Sequence, residues 1–217
     1  MTNRRSRPGP RNLTYEQCED RALLTLIFVL NCNAYSATSP SILTANAAQV
    51  LDRAGNQAVQ ISTPKIETAG VFYGVARYIE SLSHGSPIGI VGFSSGGTLA
   101  ARLSGVQSLH VIAALDYYRP PSLRDYLNYH TGDRFDAYIL SHVHFTRSAI
   151  NVLSGPSDTS AYVVCAFGLY DRNVVASVST SSVQQDFPTA HIYYYAGGHG
   201  VSINASPQAL QDFLVHV

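Results

Sequence analysis

The sequence predicts an α/β domain built on a mostly parallel sheet with helices on both faces. Two observations carry that expectation. Six apolar runs of strand length recur along the chain, and helical stretches separate them. A third observation places the function. Polar or glycine-rich residues come directly after these runs, and in such sheets ligands bind beyond the carboxyl ends of the strands.

The elements run in this order. "LLTLIFVLN", from Leu23, is the first buried strand. "SPSILTANAAQVLDRAG" is a helix: Ser39 can cap it, Pro40 takes its first position, and Gly55 stops it. Its apolar stripe is Leu43, Ala47, Val50, Leu51 and Ala54. "QAVQIST" is the next strand. "TPKIETAGVFYGVARYIESLSHG" starts in the same way, on Thr63-Pro64, with Val71, Val75, Ile79 and Leu82 expected on one face. "IGIVGF" is a strand, "SGGTLAARLS" a helix and "LHVIAALD" a strand. "AYVVCAFGLYD" and "AHIYYYA" are two more strands. "SPQALQDFLVHV" closes the chain as a helix behind Ser206-Pro207, with Leu210, Phe213, Leu214 and Val217 at helical spacing. The tyrosines at 193–195 alternate across their strand, so they divide between core and surface.

The chain has 217 residues, 46% hydrophobic and 13% charged, which suits one domain with a real core. Formal net charge is zero, so a nucleic-acid footprint is not expected. Residues 1–20 lack an apolar pattern and read as a flexible arm, with Arg4, Arg5, Arg7 and Arg11 in it. The domain proper is expected at 21–217. Its longest apolar run, Ala22–Leu30, is too short to span a bilayer. It imitates a secretory signal, yet Glu16, Glu19 and Asp20 stand where a signal carries positive charge. A cytoplasmic location is expected, with secretion as the alternative. Cys18, Cys32 and Cys165 are sparse and odd in number, which suits a reducing compartment. Cys165 falls inside an apolar strand and reads as core. The stretch 117–160 has no clear strand and is rich in Tyr and His, as a lid-like excursion would be.

The chemistry centres on Gly92-Phe93-Ser94-Ser95-Gly96. This fits G-x-S-x-G between a strand and a helix. A nucleophile held on so tight a turn needs small residues two positions away, and Gly92 and Gly96 supply them. The Ser94 oxygen then stands at the positive end of a helix, where developing negative charge is favoured. A hydroxyl nucleophile needs a base, and the base needs an orienting acid. His199 lies in "YYYAGGHGVS", just after the last strand. Asp171 ends the strand before it, giving the chain order Ser, Asp, His. Asp116, at the end of "HVIAALD", is the alternative acid. The oxyanion hole takes one backbone N–H from Ser95 and a second from "NCNAYS" after the first strand, with Asn33 preferred and Cys32 next. Tyr35, Tyr117 and Tyr118 are candidate substrate contacts.

"GFSSGG" and "GGHGVS" resemble the corresponding motifs of α/β-hydrolases, most closely the dienelactone hydrolase branch. The resemblance runs from Leu23 to Val217. It implies a three-layer fold, a Ser94–His199–Asp171 triad and hydrolysis of an ester, lactone or thioester of a small molecule. Three departures stand beside it. Asn31-Cys32 occupies the place of the usual His-Gly. The N-terminal arm is too short for the two extra antiparallel strands of larger members. The nucleophile is Ser where some dienelactone hydrolases use Cys, so their substrate is not carried over.

Acyl transfer, cyclisation or lyase chemistry would use the same three residues. A non-catalytic binding module on this scaffold is a third class. No cofactor is expected. A metal site at His130, His142 and His144 lacks the further His and Asp of an H-x-H-x-D-H set. "GFSSGG" lacks the Gly-Lys-Ser/Thr of a phosphate loop. The expected partner is the small-molecule substrate, and the oligomeric state, a homodimer included, stays open.

Overall fold

The structure, a computed structural model, describes residues 25–30, 42–61, 69–117, 160–171, 176–199 and 202–217. Within them lie strands β1 (Leu26–Leu30), β2 (Gln57–Ile61), β3 (Ile88–Phe93), β4 (Val111–Tyr117), β5 (Tyr162–Gly168) and β6 (His191–Tyr195). The helices are α1 (Ile42–Arg53), α2 (Ala69–Ser83), α3 (Ser95–Leu103), α4 (Ala176–Asp186) and α5 (Pro207–His216). A short 3₁₀ turn occupies Ile203–Ala205.

The six strands form one sheet in the order β2-β1-β3-β4-β5-β6, and every neighbouring pair is parallel. All carboxyl ends therefore share one edge. The order reverses at β1 and β3: β2 lies on one side of β1, and β3 on the other. A crevice opens at such a reversal, where the connections leave in opposite directions. Ser94 comes directly after β3 at that point.

Side chains alternate across the pleat, so each strand feeds two cores. From β1, Ile27 and Val29 join Leu51, Val91, Phe93, Leu115 and Phe213 on one face. Phe28 and Leu30 join Phe72, Ile79, Ile90, Leu99 and Leu103 on the other. The parallel sheet is thus covered on both sides, which is why its central strands read as continuous apolar runs.

Two helix faces differ from the sequence expectation. Among the described side chains, those buried on α2 are Phe72, Val75, Ala76, Ile79 and Ser83, while Leu82 is exposed, and the expected Val71 lies outside the described side chains. On α1 they are Thr44, Ala47, Ala48 and Leu51, and Ala54 lies past the helix and exposed. In both cases a small or polar residue sits in the buried stripe, so hydrophobicity alone misplaces its edge. Helix α4 has no counterpart among the elements the sequence predicts. Its sequence, ASVSTSSVQQD, is rich in Ser, Thr and Gln. Among its described side chains the buried ones are Ser179, Val183 and Asp186, of which Val183 is the apolar one. The helix exists because it must bridge two parallel strands, not because of a strong local pattern.

α5 is fastened to the sheet by a polar cluster at the amino ends of β5 and β6. The Tyr162 hydroxyl donates to Asp212 Oδ1 at 2.9 Å, and the Tyr193 hydroxyl donates to Asp212 Oδ2 at 2.8 Å. His191 Nδ1 stands 3.2 Å from Asp212 Oδ2. His216 stacks on the Tyr162 ring at 3.5 Å between centroids. Burial, the hydrogen bond to Asp212 and that carboxylate's charge push the Tyr162 phenol up to about 12. The hydrogen bond to Asp212, with burial second, also raises Tyr193.

Candidate functional site

Ser94 occupies φ +55°, ψ −123°, a backbone region that residues with a side chain rarely adopt. The strain is held from both sides. The Ser94 N–H donates to the carbonyl of Tyr117 on β4 at 2.6 Å. The Ser94 carbonyl accepts from Gly97 N–H at 2.9 Å, which starts α3. A side chain at Gly92 would collide with the Gly96 carbonyl and the Gly97 nitrogen, so only glycine lets β3 and α3 meet this closely. Ser95 is the first residue of α3. The amides of a first helical turn have no acceptor within the helix, and they carry its positive end.

Asp171 stands just past the end of β5, where its N–H closes a turn onto Gly168. His199 stands four residues past β6. The two loops bring these side chains together: His199 Nδ1 lies 2.8 Å from Asp171 Oδ2. The carboxylate side chain is 1% exposed and the imidazole 27%. With Nδ1–H donated to the carboxylate, the neutral ring leaves Nε2 unprotonated, ready to accept a proton. Ser94, Asp171 and His199 thus come after three strands of one parallel sheet, on its carboxyl edge.

Asp116 has a different setting. It pairs in register with Gly92 and is fully buried. Its carboxylate fills the space beside Gly97, under the first turn of α3. It lies behind the elbow, while Asp171 holds the imidazole.

Tyr117 corrects the sequence expectation. The sequence offers it as a substrate contact, but its side chain is fully buried. Its hydroxyl donates to the Ile203 carbonyl at 2.6 Å, and its ring stacks on Phe93 at 5.3 Å between centroids. It ties β4 to the loop behind His199. The signal available in sequence is position: a residue completing an apolar run that is buried on both faces belongs to the core. Its main-chain carbonyl, the Ser94 N–H acceptor, is a supporting role that no side-chain pattern reveals.

Cys32, Asn33, Tyr35 and Tyr118 lie outside the described residues, as do residues 1–20 and most of the 117–160 excursion with His130, His142 and His144. Cys165 is buried in β5. Among the described residues no group of three or more His, Cys, Asp or Glu is arranged to hold a metal ion. Among them, too, no helix is long and apolar enough to cross a membrane.

No protein-family model matches the chain, and no curated protein does. Solved structures do match in shape. The alpha/beta hydrolase domain-containing protein 10 from mouse is 15% identical, with a TM-score of 0.58 over 81% of this chain and 81% of that one. An acetyl xylan esterase from Paenibacillus sp. R4 is 17% identical, with a TM-score of 0.64 over 89% of this chain and 75% of its own. A thioesterase domain from the curacin biosynthetic pathway is 12% identical, with a TM-score of 0.58 over 89% of this chain and 92% of that one. At these identities the likeness is one of fold: a six-stranded parallel sheet of the α/β-hydrolase type.

Proposed function

We propose, with the α/β-hydrolase fold as premise, that this chain is a serine hydrolase that cleaves an ester, lactone or thioester of a small molecule. One observation carries the reading. A buried Asp171 carboxylate holds the His199 imidazole at 2.8 Å, on the same sheet edge as a serine in strained backbone. Strain of this kind needs a reason, and presenting a nucleophile clear of strand and helix is one.

In the proposed mechanism His199 Nε2 takes the Ser94 hydroxyl proton as Oγ attacks the substrate carbonyl carbon. Asp171 stabilises the resulting imidazolium and fixes its tautomer. The oxyanion is met by the Ser95 N–H, with a second donor assigned to Asn33 or Cys32. The imidazolium returns its proton to the leaving alcohol, ring oxygen or thiol. The acyl–Ser94 ester that remains is then attacked by water, activated by the same imidazole. No step calls for a cofactor. The motif likeness of "GFSSGG" and "GGHGVS" favours a relative of the dienelactone hydrolases, and the esterase and thioesterase names among the structural neighbours fit the same range of bonds.

A fluorophosphonate probe tests the reading. It should form one adduct, on Ser94, that Ser94→Ala abolishes and heat-denatured protein lacks. Labelling that persists in Ser94→Ala would refute the nucleophile. Acyl transfer, cyclisation or lyase chemistry would run on the same residues. Products formed with and without an added alcohol or amine separate transfer from hydrolysis.

A further inference from the structure

The Asp171 and His199 loops are joined by their main chains, and a single glycine sets the join. Beyond Gly168, the last residue of β5, the chain stays paired with the end of β6 and the segment after it. Leu169 N–H donates to the Tyr195 carbonyl at 3.0 Å, and Tyr170 N–H donates to the Gly197 carbonyl at 2.9 Å. Asp171 N–H then turns back to the Gly168 carbonyl at 3.2 Å. The side chains along this extension do not hold it. Leu169 is 57% exposed and Tyr170 72% exposed. What allows the contact is the missing side chain at Gly168. A Cβ there would stand 2.5 Å from the Gly197 carbonyl oxygen and 3.1 Å from the Tyr195 hydroxyl. The first approach is closer than a Cβ and a backbone oxygen tolerate, and the obstructing atom is main chain, which cannot swing away.

We infer that Gly168 is a positioning residue: its bare Cα lets the Gly197 carbonyl dock on the end of β5, and this sets the Asp171–His199 separation. The inference rests on the proposed roles of that pair. A methyl group at 168 would push the His199 loop away from the Asp171 loop. The imidazolium would then lose part of its carboxylate partner. Misplacement on the scale of 1 Å costs about 10²-fold in rate.

The test compares Gly168→Ala with Gly198→Ala and Asp171→Asn in the full chain, on an activated ester such as p-nitrophenyl acetate. A Cβ at Gly198 would find its nearest neighbour, the Tyr170 carbonyl, at an ordinary 3.5 Å. Gly168→Ala should lower kcat about 10- to 100-fold with KM little changed. The downfield proton resonance of the His199 Nδ1–H should also weaken or move upfield, in the direction that Asp171→Asn moves it, because the bond to Asp171 Oδ2 lengthens. Gly198→Ala should lose no more than a few-fold and leave the resonance in place. A loss in Gly168→Ala that scales the rate without moving the resonance would overturn the inference, as would an equal effect at Gly198. If Asp171→Asn itself leaves rate and resonance unchanged, it is the assignment of Asp171 as the acid that fails. Should Gly168→Ala not fold, amide exchange in the unaltered protein decides. The Leu169 and Tyr170 amides should be protected and open together despite their exposed side chains. Unprotected exchange at either would refute the join.

Discussion

Asp171 Oδ2 sits 2.8 Å from His199 Nδ1, and the carboxylate is shielded while the ring is partly exposed. A buried carboxylate needs hydrogen-bonding partners, and the His199 imidazole N–H is one of them. Replacing Asp171 by Asn keeps the shape but reverses the hydrogen bond, so the ring adopts the wrong tautomer. Turnover should fall about 10³- to 10⁴-fold, as triad logic requires. Asp116→Asn should cost much less, since that carboxylate packs against Gly97. Steady-state rates of the two variants decide the matter, and a larger loss at Asp116 would reverse the assignment.

Ser94 offers a test that separates strain from chemistry. Both Ser94→Ala and Ser94→Gly remove the hydroxyl and should abolish turnover. Only glycine relaxes the backbone at φ +55°, ψ −123°. Unfavourable backbone of this kind stores about 1–3 kcal/mol, and glycine gives back part of it through the greater freedom of its unfolded chain. Ser94→Gly should therefore be more stable than Ser94→Ala by roughly 1 kcal/mol in urea unfolding. Equal midpoints would show that the elbow is not strained.

Much of this is legible in the residues. The central strands declare themselves, because a sheet covered on both faces needs apolar residues there, and Leu26–Leu30 or Ile88–Phe93 leave little choice, while the edge strands QAVQI and HIYYY carry polar residues as well. The pairing of Asp171 with His199 can be expected from strand ends alone, since parallel strands deliver their succeeding loops to one edge. Helix α4 is not legible, because Ser179 takes a core position with a hydroxyl instead of a methyl group. Tyr117 misleads because a tyrosine at a strand end looks like a pocket wall until its hydroxyl is seen to reach Ile203, 86 residues away. The contact of Gly168 with Gly197 leaves no trace either, for a glycine in sequence does not say which main chain approaches it.

The cluster around Asp212 predicts a specific alkaline limit. Tyr162 is pushed up from 10.0 to about 12 in the folded protein, and Tyr193 is raised as well. The native state therefore keeps protons that the unfolded chain releases. Their contribution to stability is complete below pH 10, declines as pH rises, and is gone once Tyr162 ionises near pH 12. Asp212→Asn removes the charge and the strong acceptor together, so Tyr162 should ionise nearer the ordinary phenol range. Phenolate absorbance, taken as the difference from Tyr162→Phe, measures it. An unchanged titration in Asp212→Asn would rule Asp212 out and leave burial and the neighbouring Tyr193 as the causes.

Tyr117→Phe distinguishes a core tyrosine from a substrate contact. The phenylalanine ring keeps the stack on Phe93 and loses the hydroxyl's short hydrogen bond to the Ile203 carbonyl and its longer one, 3.5 Å, to the Ser206 carbonyl. Leaving those carbonyls without this donor should cost roughly 1–2 kcal/mol of stability. The Ser94 N–H is untouched, because its acceptor is the main-chain oxygen of residue 117, which any residue supplies. KM should accordingly stay within a factor of about two across esters of different acyl size, while the urea midpoint falls. Such a loss of stability without a change in KM is the signature of a buried tie. A KM that rises selectively for one acyl group would instead put the hydroxyl against the substrate and refute the core placement.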